Sequence, residues 1–344
     1  WASDCVTLKS KDEDKYLTKF LYYALRLIQS DIYLLQKGSD QPHVYASDIQ
    51  CIKVPAVSVP IQKKALAEAH AIEKEIETIE SSIKKNGEII DDVFNREFRF
   101  AMDEFNRSKQ AKRFSANYRT LSNNADLRFS AKFHRDSGNF VMQELMNRTD
   151  KKIKHYLAEP IVLGASVSPS DYSDDGEFCY ISMATIKNWK FDIESASTVS
   201  KEYSDSKQAK TVRKNDIILA RSGEGTIGKV ALIDDDELQG VFADFTMRIR
   251  LKDYNPEFAY YYFRTTYFQY LIEIYKKGLG NNTNIFPIVV REFPMLNISL
   301  AEQQRIVDEI HAEIAKQDEI KKQIESLRGQ IDVLIQDVLT QNQG

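Results

Sequence analysis

The chain has 344 residues, 42% of them hydrophobic, and a formal net charge of −4. That is apolar material enough for one or two cores, and the mildly acidic balance excludes a global basic field, so nucleic-acid contact would have to come from local patches. Three scattered cysteines, five histidines in no ligand spacing and the lack of an apolar run of about 18 residues argue against a disulfide scaffold, a metal centre and a membrane span, and fit a reducing cytoplasm.

The chain opens on "WASDCVTL", a strand-like run without a starting methionine, read here as part of a fragment. "FLYYAL" predicts a helix, and "LLQKGSDQPHVYASDIQCIKVP" a Gly-containing loop and a short strand ending in proline. From residue 61 to residue 98 the spacing predicts one long amphipathic helix. Ala65, Ala69, Ile72, Ile76, Ile79, Ile83, Ile90 and Val93 recur at steps of three and four, with a polar gap at Asn86. "RFAMDEFNRSKQAKRFSANY" is then a long lead-in to a second domain.

Within that domain, "LARSGEGTIGKVALI" satisfies three nucleotide-binding patterns, because Gly223, Gly225, Gly228 and Lys229 fall at dinucleotide, P-loop and kinase-loop spacings. Each of the first two patterns needs a helix opening on the glycines to hold phosphate. Here "DIILAR" precedes and "KVALI" follows, and both read as strands, so the segment predicts β-turn-β. Val230 stands where a P-loop hydroxyl would ligate magnesium. The "HRD" at His134 to Asp136 lies upstream of the loop, the wrong order for a kinase. "NPEF" from Asn255 is one residue from a methyltransferase motif, but Pro256 and Glu257 suit a helix start.

The last long segment repeats the first. At a constant offset of 241 residues, Gln62 falls on Gln303, His70 on His311, Ile79 on Ile320, Ile83 on Ile324 and Ile90 on Ile331. Upstream, Lys37-Gly38 answers Lys277-Gly278, and "FLYYAL" parallels "YYYFRT". The chain therefore holds two copies of one unit, strand, helix, Gly-containing loop, short strand and long helix. In the second helix Ile306, Ile310, Ile320, Ile324, Leu327, Ile331, Leu334 and Val338 form the stripe, with Gln317 inside it. Two matching seams predict that the helices pair with each other, antiparallel. Roughly 36 residues at about 1.5 Å each make a rod of about 55 Å, the length of some 16 base pairs at about 3.4 Å.

The order and spacing of "KNDIILARS", the glycine turn, "DFTMRIRL", "KGLGNNTNIFP" and "SLAEQQRIVDEIHAEI" resemble the specificity subunit of type I restriction–modification systems. The resemblance covers nearly the whole chain and is specific only as a combination. It implies an α+β chain in which mixed α/β target-recognition domains are connected by two long antiparallel α-helices forming a coiled coil. The expected divisions are 1–60, the end of a first recognition domain; 61–98, the first long helix; 99–298, linker and second recognition domain; and 299–344, the second long helix. The sequence departs from the pattern at the start, where only the end of the first domain is expected, and at "RFAMDEFNRSKQAKRFSANY", an unusually long lead-in, and similar modules also occur fused to methyltransferases. A coiled-coil scaffold with no DNA role is the alternative from another class.

The resemblance further implies a non-catalytic subunit of a cytoplasmic host-defence complex that reads a bipartite site in double-stranded DNA. Two adenine-N6 methyltransferase subunits carrying S-adenosylmethionine, and restriction subunits using Mg and ATP, would be its partners, with no membrane role and no cofactor in this chain. The glycine turn would be mainly structural, with Arg221, Ser222 and Thr226 reaching DNA from it. Arg and Lys read guanine, and Asn or Gln adenine, through paired hydrogen bonds. On that basis Lys187, Asn188 and Lys190 are expected at base edges. Lys207, Gln208, Lys210, Arg213 and Lys214 are expected at phosphates. Lys276, Lys277, Asn281, Asn282 and Asn284 form a further loop, with Lys37, Ser39, Gln41 and His43 as its counterpart in the first copy. Helix pairing is assigned to Ile72, Ile76, Ile79, Ile83, Ile90, Ile320, Ile324, Leu327, Ile331 and Leu334.

Overall fold

The computed structural model describes residues 7–38, 42–119, 128 and 130–341. The opening strand-like run falls outside them except for Thr7 and Leu8, which carry no strand. In chain order the helices are α1 (Thr18–Leu27), α2 (Gln29–Tyr33), α3 (Ala46–Ile49), α4 (Val59–Glu80), α5 (Asn86–Phe98), α6 (Met102–Gln110), α7 (Asp136–Met146), α8 (Lys201–Ser206), α9 (Pro256–Arg264), α10 (Thr266–Tyr275), α11 (Pro287–Val290) and α12 (Leu300–Gln341). The chain divides into two compact units, residues 1–84 with 315–344, and residues 85–314.

In the first unit the buried face of α1, Phe20, Tyr23 and Ala24, shares one core with Ala65, Ala69 and Ile76 of α4 and with Ile324, Leu327, Ile331, Ile335 and Leu339 of α12. Ile72, Ile79, Ile83, Ile320, Leu334 and Val338 border it, half-buried. The pairing is antiparallel. Arg328 bonds Glu80 at 2.9 Å, and the Lys84 N–H donates to Gln317 Oε1 at 2.9 Å, so advancing along the first segment retreats along the second. The deepest positions of the last two turns are Ile335 and Leu339, where the stripe predicts Leu334 and Val338. An α-helix of about 3.6 residues per turn drifts about 20° per heptad against a 3.5 repeat, enough to move the seam by one residue.

The helix expected over 61–98 is two helices. Ser81 and Ser82 turn their hydroxyls back onto Thr78 O and Ile79 O, both at 2.6 Å, and Asn86-Gly87 is a poor helix interior. α4 therefore stops at Glu80 and α5 restarts at Asn86, with Glu88 accepting from the Lys85 N–H at 3.2 Å. Gln317, the polar residue in the opposite seam, bonds the backbone exposed by this break.

The second unit repeats the construction. Ile90, Val93 and Phe94 of α5 share a core with Ile306, Val307 and Ile310 of α12 and with the aromatic helices α9 and α10. Arg96 pairs with Glu309 and Arg305 with Glu97, again an antiparallel sense. Buried glutamines anchor both copies. Gln62 accepts from Leu17 N and donates to Val57 O, and Gln303 accepts from Asn255 N and donates to Ile298 O, all at 2.7–2.9 Å. That equivalence sets Phe20 on Phe258, Tyr23 on Tyr261 and Arg26 on Arg264, two residues away from the alignment of "FLYYAL" on "YYYFRT". Asp91 and Asp332 also correspond: Asp91 holds Thr266 at the start of α10, and Asp332 pairs with Arg26. Asn255 caps α9 by accepting from the Glu257 and Phe258 amides at 2.9 and 3.1 Å, so "NPEF" is a helix start.

Among the described residues, the second unit also carries the strands. An antiparallel sheet has the order β1 (Val162–Leu163), β9 (Thr246–Ile249), β6 (Ile217–Ala220), β7 (Val230–Leu232). A second sheet sets β2 (Phe178–Ile181) between β5 (Thr198–Val199), antiparallel, and β8 (Gly240–Phe242), parallel. β3 (Ile186–Lys187) and β4 (Lys190–Phe191) form a hairpin. All four residues of β6 are fully buried, so its register is firmly set, and it delivers Arg221 to the end of the strand.

Candidate nucleic-acid interface

β6 and β7 are antiparallel neighbours, and the glycine segment is the turn between them, as "DIILAR" and "KVALI" predict. Gly223, Gly225 and Gly228 all have left-handed φ, from 80° to 87°. Thr226 Oγ1 donates to Ser222 O at 2.7 Å and closes the turn. No helix starts on the glycines, so no array of helix N–H groups faces them.

The turn is joined to the loop after α10. Ser222 bridges Asn284, Asn284 bridges Lys277, and the Ile285 N–H donates to Arg221 O at 2.9 Å. Arg221, Ser222, Thr226, Lys276, Lys277, Asn282 and Asn284 thus come together, although two separate segments supply them. Arg221 is their centre. Its Nε donates to Asp244 O at 2.9 Å and its Nη1 to Asn284 Oδ1 at 3.1 Å. The guanidinium lies 5.9 Å from the ring centres of both Phe245 and Phe286. These contacts fix the plane of the group. Phe245 and Phe286 are 46% and 39% exposed, an apolar rim that a search for basic and amide residues passes over.

Other residues expected at DNA spend their polar groups within the fold. Ser222 is buried and donates to Thr283 O at 3.2 Å, so its hydroxyl belongs to the loop junction. Lys276 is largely covered and pairs with Glu273 at 2.8 Å and Glu224 at 3.5 Å. The side chain of Asn281 falls outside the described atoms. Lys210 donates to Leu163 O at 2.7 Å, and burial, helped by Arg248, lowers its pKa. Lys207 lies over the Tyr203 ring at 5.8 Å, and Gln208 reaches Asp205 at 3.5 Å. Arg213 is exposed, while Lys214 pairs with Asp236 at 2.6 Å, which raises its pKa. Arg213 and Lys214 precede β6 and Arg221 follows it, so these groups lie on the order of 20 Å apart along the strand and form no single patch.

The β3–β4 hairpin turns on Asn188 and Trp189, both left-handed at φ 49° and 66°, the geometry of a two-residue hairpin turn. Lys187 pairs with Asp192 at 2.7 Å, and Lys190 is exposed. Trp189 is clamped rather than free, with the Tyr260 hydroxyl donating to its carbonyl at 2.7 Å and the Arg264 guanidinium 5.6 Å from its ring. Met183, just before the hairpin, touches Thr226 Oγ1 at 3.7 Å and ties this region to the glycine turn.

In the first unit, Lys37 and His43 exchange backbone hydrogen bonds at 2.9 Å, the counterpart of Lys277 and Asn284. Gly38 and Gly278 have φ of 109° and 105°. Lys37 Nζ pairs with Asp48 at 2.8 Å, which raises its pKa. Ser39 and Gln41 lie outside the described residues.

The family model described as the type I restriction modification DNA specificity domain matches residues 1–88 and 161–327. No curated protein sequence matches the chain. Among solved structures, a chain from work on complex assembly and conformational transition of the type I R-M system is 12% identical, with 95% of this chain and 72% of that one covered and a TM-score of 0.51. The S subunit of a type I restriction–modification system from M. genitalium is 15% identical, with coverages of 95% and 74% and a TM-score of 0.39. The HsdS subunit from Thermoanaerobacter tengcongensis is 13% identical, with coverages of 96% and 70% and a TM-score of 0.36. Because the family model spans both copies of the repeat and the strands between them, the chain belongs to the type I restriction modification DNA specificity domain family.

Proposed function

We propose that the chain is the subunit that gives a type I restriction–modification complex its sequence specificity, reading a bipartite DNA site without performing chemistry itself. The observation that carries the reading is the internal repeat, preserved down to the buried glutamines Gln62 and Gln303 and their matched backbone partners. A repeated frame suits two identical partners, and loops that differ between the copies suit two different half-sites. Those partners are two adenine-N6 methyltransferase subunits, which would carry S-adenosylmethionine, with restriction subunits supplying the Mg- and ATP-dependent cleavage. On this reading Arg221, Asn284 and the 187–190 hairpin face the DNA of one half-site, and Lys37 and His43 face the other.

Methylation mapping of cells with and without the gene tests the proposal. A split adenine-methylated motif should vanish with the gene. An unchanged methylome, together with salt-insensitive or absent binding of duplex DNA by the assembled complex, would refute it.

A further inference from the structure

Tyr45 and Phe286 occupy equivalent places in the two copies, at the offset of 241 that also relates the long helices. Each follows a Lys-Gly loop closed by a backbone bridge, Lys37 to His43 in one and Lys277 to Asn284 in the other. Each is the N-cap of a four-residue helix, α3 or α11, and neither makes a side-chain capping bond. Ser, Thr, Asp and Asn are favoured at such positions because their oxygens accept from the first-turn amides, which an aromatic ring cannot do. Both rings are exposed, Tyr45 by 52% and Phe286 by 39%. Helix capping therefore gives no reason for an aromatic at either position.

The surroundings are polar on both sides. Phe286 lies against the Arg221 guanidinium, and Tyr45 lies 6.4 Å from the His43 ring. The nearby acids are already engaged, Asp48 by Lys37, Asp244 by Ser166 and Glu224 by Lys276. An exposed ring beside a guanidinium or an imidazole suits a surface that offers apolar sugar next to anionic phosphate. A feature shared by both copies cannot encode the difference between two half-sites.

We infer that Tyr45 and Phe286 are a matched pair of sequence-independent DNA contacts, each ring packing against deoxyribose of the duplex. This rests on the proposed DNA-reading function and assigns it a part that no basic residue supplies. The test uses the full chain in its assembled complex, with a random-sequence duplex as probe. Tyr45→Ala and Phe286→Ala should each weaken binding roughly tenfold, the scale of one partly buried apolar side chain. Tyr45→Phe and Phe286→Tyr should bind as the parent does. The salt slope should not move, because no charge is removed, and Tyr45→Ala should leave the methylated motif in cells unchanged. In the unaltered protein, hydroxyl-radical oxidation of both rings should fall when DNA is added, a readout independent of how the variants fold. Parent-like binding by the alanine variants, an altered motif with Tyr45→Ala, or ring oxidation indifferent to DNA would overturn the inference. Failure of the parent complex to bind DNA would instead refute the proposed function.

Discussion

Gly225 and Gly228 share a left-handed backbone but differ in their surroundings. A Cβ on Gly225 would meet nothing within 4 Å, whereas one on Gly228 would meet Gln269 Oε1 at 2.8 Å and Ile272 Cγ2 at 3.0 Å. Gly225→Ala should therefore cost about 1 kcal/mol, the backbone strain alone. Gly228→Ala should cost at least about 1 kcal/mol more, because it also displaces the α10 side chains that pack on the turn. Urea unfolding of the two variants measures the difference; equal losses would mean that the packing on Gly228 is inconsequential. The buried glutamines permit a second comparison. Gln303→Ala strands the Asn255 N–H and the Ile298 carbonyl, and should destabilise the protein by about 2–4 kcal/mol. Gln62→Ala should do no less, since Gln62 also donates to Lys15 O at 3.1 Å. A midpoint within error of the parent in either variant would contradict the anchoring role. At this scale the sequence was an uneven guide. Arg221 could be picked out beside its glycines, but the aromatics that frame it arrive from two later segments. Nothing local shows that Lys210 and Ser222 bind carbonyl oxygens of distant segments.

Periodicity carried most of the information about the elements. The stripe from Ile306 to Ile331 gave α12 its extent and its buried face, and alternating turn and strand signals gave β6, the glycine turn and β7. What periodicity could not supply was the interruption at 81–85, because Ile79, Ile83 and Ile90 keep nearly helical spacing across it. The signal lay in chemistry, in adjacent serines that back-bond to the preceding turn and an Asn-Gly pair that follows. Short strands such as β1 and β5, two residues each, were equally hidden, since their pairing is set by distant partners. The polar residue inside the opposite stripe is explained by the same interruption. Gln317→Leu should gain from burying an apolar side chain and lose the acceptor for the Lys84 amide, two effects of similar size near 1–3 kcal/mol. The melting temperature should therefore change little, while hydrogen exchange at the Lys84 amide should quicken about tenfold or more. Unchanged exchange at that amide would mean that Gln317 does not secure the break.

For the molecule as a whole, the informative asymmetry is that one helical segment is broken while α12 runs unbroken through residues belonging to both units. If the paired helices set the distance between half-sites, the continuous helix is the segment that would hold it. The broken segment can absorb an insertion in its turn. Four residues added between Ser82 and Lys85 should then leave the spacer of the methylated motif unchanged, because only the connection lengthens. Four residues added there together with four after Ala315 should lengthen α12 by about 6 Å, close to one helical turn, so that its apolar face returns nearly to register while the longer turn lets the broken segment span the difference. About 6 Å corresponds to roughly two base pairs. The doubly extended protein should methylate a motif with both half-sites intact and a spacer longer by one or two base pairs. Methylation mapping in cells expressing each variant reads the outcome directly. A spacer that grows with the single insertion would place the ruler in the broken segment. Altered half-site bases with an unchanged spacer in the double insertion would refute the division of labour between loops and helices.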